Sequence, residues 1–243
     1  MNLIIDIGNT LIKLAVFQDD KLLKKFASVK IDFKNKFEEV KIQYPLIGRI
    51  LVSNVSEPDF LKLKKPKKVE EIFFLSPELK LPFVNKYSTP KTLGHDRIAL
   101  MAAASKFFKG ENVLVIDAGT CLTFDFLNSE NEYLGGAISP GLKMRYDALH
   151  NFTSKLPLLE PDDEVELIGN STKNSINSGV INGITKEIDG VINEYSALYP
   201  NTKILLTGGD AQILSKRLKN SIFANSNFLL EGLNYILEIN NNQ

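Results

Sequence analysis

Residues Leu3–Phe17 read LIIDIGNTLIKLAVF, and a near copy returns at Val113–Leu127 as VLVIDAGTCLTFDFL. In each copy an apolar run of strand type meets an aspartate, then a glycine-containing turn ending in threonine, then a second apolar run. The copies begin 110 residues apart, each at the head of about half of the chain. Self-similarity on that scale predicts two similar halves facing one another.

The chemistry of the unit follows from its residue types. A hydrophobic strand that ends in Asp-x-Gly delivers Asp6 or Asp117 to a sheet edge, and Gly8 or Gly119 permits the positive φ of a tight turn. Bare backbone lets phosphate oxygens approach, Asn9, Thr10 and Thr120 add donors suited to them, and the two carboxylates suit a hard cation, directly or through water. A single Asp-x-Gly turn is ordinary hairpin chemistry. Two with the same flanks, facing across a cleft, would hold a metal and a polyphosphate.

Composition narrows the classes. Of 243 residues, 44% are hydrophobic and 24% charged, as expected of a globular protein with ample core. Lys plus Arg and Asp plus Glu both number 29, so the balanced charge argues against a broad nucleic-acid footprint or a polybasic membrane surface. Cys121 alone allows neither an internal disulfide nor a cysteine-only metal cluster, and inside an apolar strand it reads as a small core residue. The N-terminus lacks a basic region followed by a long apolar one, and no run reaches about 18 apolar residues. The expected location is the cytoplasm.

Taken in order, Lys21–Val29 adds a third strand to the first hairpin, and Phe33–Gln43 carries helical spacing through Phe37, Val40 and Lys41. Ile47–Asn54 is an apolar strand ending in a Ser-Asn turn. Glu57, Pro58 and Asp59 signal a further helix, Lys62–Lys68 reads as a solvated basic stretch compensated by Glu70 and Glu71, and Ile72–Leu75 reads as a strand. Three strands, helix, strand, helix, strand suits a ribonuclease-H-like half-domain. Asn85–Arg97, NKYSTPKTLGHDR, then leads into the helical IALMAAASKFF, with Ile98, Met101, Ala102, Ser105 and Phe108 as its apolar face. Locally, Asp96 reads equally well as a helix cap with Arg97 as its exposed neighbour. His95 has no second ligand at metal spacing, so no zinc site is expected.

In the second half, Leu134–Leu142 is a strand breaking into a Pro-Gly turn, and Met144–Asn151 a helix with His150 on its surface or in packing. Lys155–Glu166 is an irregular loop rich in proline and acid. Gly169–Gly183 opens a helix reaching about Leu198, with Ser171 and Thr172 as caps or ligand donors and Gly179 and Gly183 spaced for close helix packing. Lys203–Asp210, KILLTGGD, is a buried strand ending in a Gly-Gly turn. A helix from about Ala211, a strand at Phe228–Leu230 and a C-terminal helix complete the expectation.

The paired hairpins, with a Thr-Gly-Gly turn late in the second half, resemble the superfamily of actin, sugar kinases and heat-shock chaperone ATPases. Four motifs are more discriminating: D-x-G-N-T at Asp6–Thr10, G-x-D-R at Gly94–Arg97, D-x-G-T at Asp117–Thr120 and GGAISPG at Gly135–Gly141. Their order and spacing, spanning Leu3 to Asp210, closely resemble type III pantothenate kinases, the first enzymes of coenzyme A synthesis in many bacteria. The resemblance implies an α/β fold of two ribonuclease-H-like, actin-like ATPase half-domains, 1–112 and 113–243, around a central cleft.

By the same resemblance, Asp6, Ile7, Gly8, Asn9, Thr10, Leu11, Ile12 and Lys13 would form the first ATP phosphate loop, with Asp6 near Mg²⁺. Thr120 would bind phosphate from the second loop, Gly208 and Gly209 would approach the adenosine, and Asp117 would ligate a monovalent cation, K⁺ or NH₄⁺. Tyr87, Gly94, His95, Asp96, Arg97 and Thr172 would bind pantothenate, with Asp96 as proton acceptor. The family forms homodimers with this site at the interface, so Thr172 would serve the neighbouring subunit. Nucleic acid and membrane are not expected partners. Other readings are a kinase for a sugar or short acid, a non-catalytic regulator on the same fold, or an actin-like assembly ATPase.

Overall fold

Asn2–Ile7 (β1) is buried along its whole length, as a strand covered on both faces must be. In the computed structural model, which describes residues 1–8, 11–54, 69–76, 78–162, 164–220 and 223–241, β1 opens a meander with β2 (Ile12–Gln18) and β3 (Lys21–Ser28). Asn9, Thr10, the helix expected after Pro58 and the basic stretch Lys62–Lys68 lie outside the described residues. After α1 (Phe33–Gln43) come β4 (Arg49–Asn54), β5 (Glu71–Phe74), the short β6 (Val84–Asn85) and α2 (His95–Phe107). Next follow β7 (Val113–Ala118), β8 (Cys121–Leu127), β9 (Glu132–Pro140), α3 (Leu142–Asn151) and α4 (Thr172–Asn177). A π turn at Ser178–Asn182 then joins α4 to α5 (Gly183–Leu198). The chain closes with β10 (Lys203–Thr207), α6 (Ala211–Ser215), β11 (Phe223–Ala224) and α7 (Phe228–Ile239). Among the described residues no helix is long and apolar enough to cross a membrane.

Two compact units result, Met1–Phe107 with Asn227–Gln243, and Phe108–Ser226. The first has the strand order β3-β2-β1-β4-β5, with β2 antiparallel to its neighbours and β4 and β5 parallel to β1. In the second, β9, β8, β7, β10 and β11 follow one another in that same order and with the same directions. The hairpin repeat in the sequence is therefore the head of a repeated sheet.

Strand parity decides what each residue faces. In the first unit Leu3, Ile5 and Ile7 pack with Leu14, Val16, Ile50 and Val52 under Phe33, Phe37 and Val40 of α1, whose two phenyl rings stack at 5.9 Å. Asn2, Ile4 and Asp6 point to the opposite face, covered by α2 and α7, where Asn2 Nδ2 donates to Asn234 Oδ1 at 2.8 Å. In the second unit Leu114, Ile116, Leu122, Phe124 and Phe126 form the corresponding core beneath α3 and α5.

The structure departs from the sequence expectation at several points. Phe228–Leu230 is the first turn of α7, not a strand; its three apolar residues fit either period, and burial against α2 selects the helix. The C-terminal helix, placed by sequence with 113–243, belongs to the first unit through that packing. Instead of presenting one apolar stripe, α2 is buried on all sides from Arg97 to Ser105, and it ends at Phe107, before Phe108. Gly179 and Gly183 are exposed, and nothing lies within 4 Å of a Cβ built at either, so neither mediates helix packing. That role belongs to Gly232 of α7, where a Cβ would stand 1.8 Å from the Ala99 carbonyl oxygen of α2. Cys121 is half-buried at the first position of β8, its Sγ 4.0 Å from Met144 Sδ.

Candidate active site

Asp6 is the penultimate residue of β1, where the strand runs out into the Gly8 turn, on the α2 side of the sheet. Its cross-strand neighbours are Lys13 on β2 and Ser53 on β4, so a cation and a hydroxyl flank the carboxylate at the same height. Only 5% of Asp6 is exposed. Burial pushes its carboxyl up to about 6; Lys13 and the Ser53 hydroxyl favour the charged form, and the nearby carboxylate of Asp96 opposes it. Two carboxylates from distant parts of the chain, Asp6 and Asp96, thus share one locality.

Asp96 reaches that locality because α2 begins at His95. Its Oδ1 accepts the backbone N–H of Arg97 at 2.8 Å, so the carboxylate folds back over the helix start. Gly94 makes the fold possible, since a Cβ there would stand 2.4 Å from the same oxygen. Arg97 is not the exposed neighbour of a helix cap: it is 5% exposed, and its guanidinium carbon lies 5.3 Å from the centre of the Tyr87 ring. Tyr87, Gly94, Asp96 and Arg97 are therefore brought together, with half-buried His95 at the helix start. Sequence reasoning missed Ser53. Its only signal was its place in the parallel strand opposite Asp6, which needs the register.

The second unit repeats the arrangement with different neighbours. Asp117 lies on β7 between Thr123 of β8 and Thr207 of β10, where Asp6 has Lys13 and Ser53. Thr123 donates its hydroxyl proton to Asp125 Oδ2 at 3.1 Å and Thr207 donates to the Asn225 carbonyl at 2.8 Å, which leaves oxygen lone pairs beside Asp117. A carboxylate between two hydroxyl oxygens suits a hard cation. Gly208 is the positive-φ residue here, at +98°, and a Cβ on it would strike the Ala118 carbonyl oxygen at 2.3 Å and Asp117 Oδ1 at 2.4 Å. Gly8 and Gly119, expected to supply positive φ, do not; a Cβ at Gly8 would meet Leu11 O at 3.1 Å, so small size matters there, whereas at Gly119 it would make only ordinary contact with Asp117 Oδ1 at 3.5 Å. Each turn closes on a short backbone bond, Gly8 N–H to Leu11 O at 3.1 Å and Gly119 N–H to Cys121 O at 3.0 Å. Thr120 sits in the second turn, Gly209 has open space around its α-carbon, and Thr172 is the exposed first residue of α4, behind Ser171, whose Oγ caps the helix.

The matched sheets, each with an aspartate and a glycine turn at the end of its first strand, narrow the comparison with known proteins. A family model described as type III pantothenate kinase matches residues 2–194. The chain belongs to the type III pantothenate kinase family. A type III pantothenate kinase of Christiangramia forsetii is 53% identical over 243 residues, covering 100% of both chains. Among solved structures, a Campylobacter jejuni protein described as a conserved putative Baf family transcriptional activator is similar at 26% identity, TM-score 0.65, over 99% of this chain and 100% of that one. A glucokinase from an Antarctic psychrotroph, 12% identical with TM-score 0.53 over 98% of each chain, shares the fold. The family member described here thus has the actin-like sugar kinase fold read from its sequence.

Proposed function

We propose that this protein transfers the γ-phosphoryl group of ATP to the terminal hydroxyl of pantothenate, giving 4′-phosphopantothenate and ADP, the first step of coenzyme A biosynthesis. The observation that carries the reading is the pairing of buried Asp6 with Asp96 at the start of α2. Phosphoryl transfer has a loose transition state, so the protein's work is alignment of the acceptor and neutralisation of charge on the transferring oxygens. Asp6 is the natural carboxylate for a Mg²⁺ that accompanies ATP, because charge there is costly until a cation offsets it. Mg²⁺ held there would supply positive charge against the phosphate oxygens.

A carboxylate is a weak base toward an alcohol. Asp96 therefore orients the pantothenate hydroxyl and accepts its proton late, as that oxygen bonds to phosphorus and the bond from the γ-phosphorus to the leaving ADP oxygen breaks. Arg97, held against Tyr87, offers a fixed cationic donor to the pantothenate end. Asp6 to Lys13, with Thr120, Gly208 and Gly209, are assigned to ATP, Asp117 to K⁺ or NH₄⁺, and Tyr87, Gly94 to Arg97 and Thr172 to pantothenate. Thr172 is assigned to the site of a second subunit in a cytoplasmic homodimer. Asp96→Asn is expected to leave ATP affinity within about twofold and to lower kcat by about 10² or more, the range of acid–base residues. Turnover like that of the wild type in this variant removes the role.

The likeness to the Campylobacter jejuni activator favours a second reading, a regulator without catalysis. ADP release with Mg²⁺ and ATP, with and without pantothenate, in K⁺ and then in Na⁺ buffer, separates the two. Release that needs both pantothenate and K⁺ supports the kinase and the role of Asp117. Release without pantothenate points to another acceptor, and no release supports the regulator.

A further inference from the structure

At the far end of β9 from its hairpin, Pro140 stands opposite Cys121, and the chain turns at Gly141 into α3. A Cβ at Gly141 would meet the carbonyl oxygens of Thr120 at 2.3 Å and Gly119 at 2.4 Å, so this turn lies directly against the backbone of the second glycine turn. No side chain caps α3 at Gly141. Arg145, one helical turn further, folds back over the segment instead. Its Nε donates to the Pro140 carbonyl at 2.9 Å and its Nη2 to Ser139 Oγ at 3.1 Å. The same Nη2 donates to Glu187 Oε2 on α5 at 2.5 Å, and the Arg145 backbone N–H bonds the Gly141 carbonyl at 3.2 Å. The guanidinium fork therefore binds two groups of the turn and one anchor on a long helix.

We propose that Arg145 is a positioning residue for nucleotide binding, clamping Ser139–Gly141 against Gly119–Thr120 so that the Thr120 turn is set before ATP arrives. The proposal rests on the assignment of Thr120 to ATP. A planar fork with several fixed donors suits the task, whereas the single ammonium of lysine reaches fewer of these acceptors at once. A turn ordered in advance spares ATP the cost of ordering it, and displacement of a phosphate-contacting backbone by about 1 Å is enough to cost about 10²-fold.

The test is calorimetric titration of Mg·ATP and of pantothenate into purified full-length variants, with thermal melting alongside. Arg145→Ala is expected to raise the Kd for ATP about tenfold and leave that for pantothenate within about twofold, Arg145→Lys to fall between it and the wild type, and Glu187→Gln, which keeps the contacts to the turn, to raise it no more than about threefold. An unchanged ATP Kd in Arg145→Ala, or equal weakening of both ligands, overturns the proposal. Should Arg145→Ala fail to fold, Arg145→Lys decides: a weaker ATP Kd at an unchanged melting temperature supports the clamp, and a wild-type Kd refutes it. Thr120→Val separates the two layers. If it leaves ATP affinity intact, the assignment of Thr120 falls; if it weakens ATP while Arg145→Ala does not, only the clamp falls.

Discussion

Gly232→Ala is expected to lower the melting temperature by about 10 °C. The new Cβ would stand 1.8 Å from the Ala99 carbonyl oxygen, 2.8 Å from its carbon and 3.1 Å from the Ala103 nitrogen, all backbone atoms of α2 that cannot rotate away. The two helices would have to part, and Ala99, Ala102, Ala103 and Ala104, all fully buried, would lose their packing. Overpacking of this kind costs about 3 kcal/mol or more, a large share of a typical stability of about 5–15 kcal/mol. At about 2–4 °C per kcal/mol for a chain of this size, the melting temperature should fall by about 10 °C. Because α2 carries Asp96 and Arg97 at its first turn, any folded remainder should also lose kcat. A melting temperature within about 2 °C of the wild type would show that the helices separate easily.

Asp6→Asn should act in the opposite sense on stability while removing activity. The carboxyl of Asp6 is raised from 3.8 to about 6 in the folded protein, chiefly by burial. Between about pH 4 and pH 6 the unfolded chain has released this proton and the native protein still holds it, so stability falls as pH rises through that window. Above it the penalty is complete, on the order of 3 kcal/mol at 1.36 kcal/mol per pKa unit. The neutral amide escapes that penalty. Melting at pH 7.5 is therefore expected to rise by several degrees in Asp6→Asn, and melting at pH 4 to stay close to the wild type. Activity should drop by about 10²–10³, the usual result of deleting a charge arranged for a transition state. Mg·ATP should stabilise the wild type more than the variant. Equal melting temperatures at pH 7.5 would mean that Lys13 and Ser53 already compensate the charge.

These two expectations draw on different kinds of information. The hairpins around Asp6 and Asp117, the helix at Phe33–Gln43 and the strand that ends at Thr207 were legible because each carries its own period and its own turn residues. The G-x-D-R segment was legible as a motif, and the burial of its arginine was not: next to a helix start a charged residue reads as solvated, whereas Arg97 is 5% exposed with its guanidinium against the Tyr87 ring. Gly179 and Gly183 had the spacing expected of packed helices and face open space. Gly232, the glycine that does pack, sits in an apolar stretch with no such spacing to announce it.

By itself, then, the sequence determined the repeated strand, aspartate and glycine unit, the helix at Phe33–Gln43 and the strand that ends at Thr207, and which residues stand at the ends of the first strands. These are local properties, set by side-chain periodicity and by the few residues that turns accept. Tertiary structure alone decided that Ser53 stands opposite Asp6 and Thr207 opposite Asp117, because register between strands far apart in the chain follows from which faces become buried. It also decided that the C-terminal helix returns to cover the first sheet. No local signal encodes that return. The apolar face of α7 would fit any matching groove, and the close approach permitted by Gly232 exists only once α2 is in place.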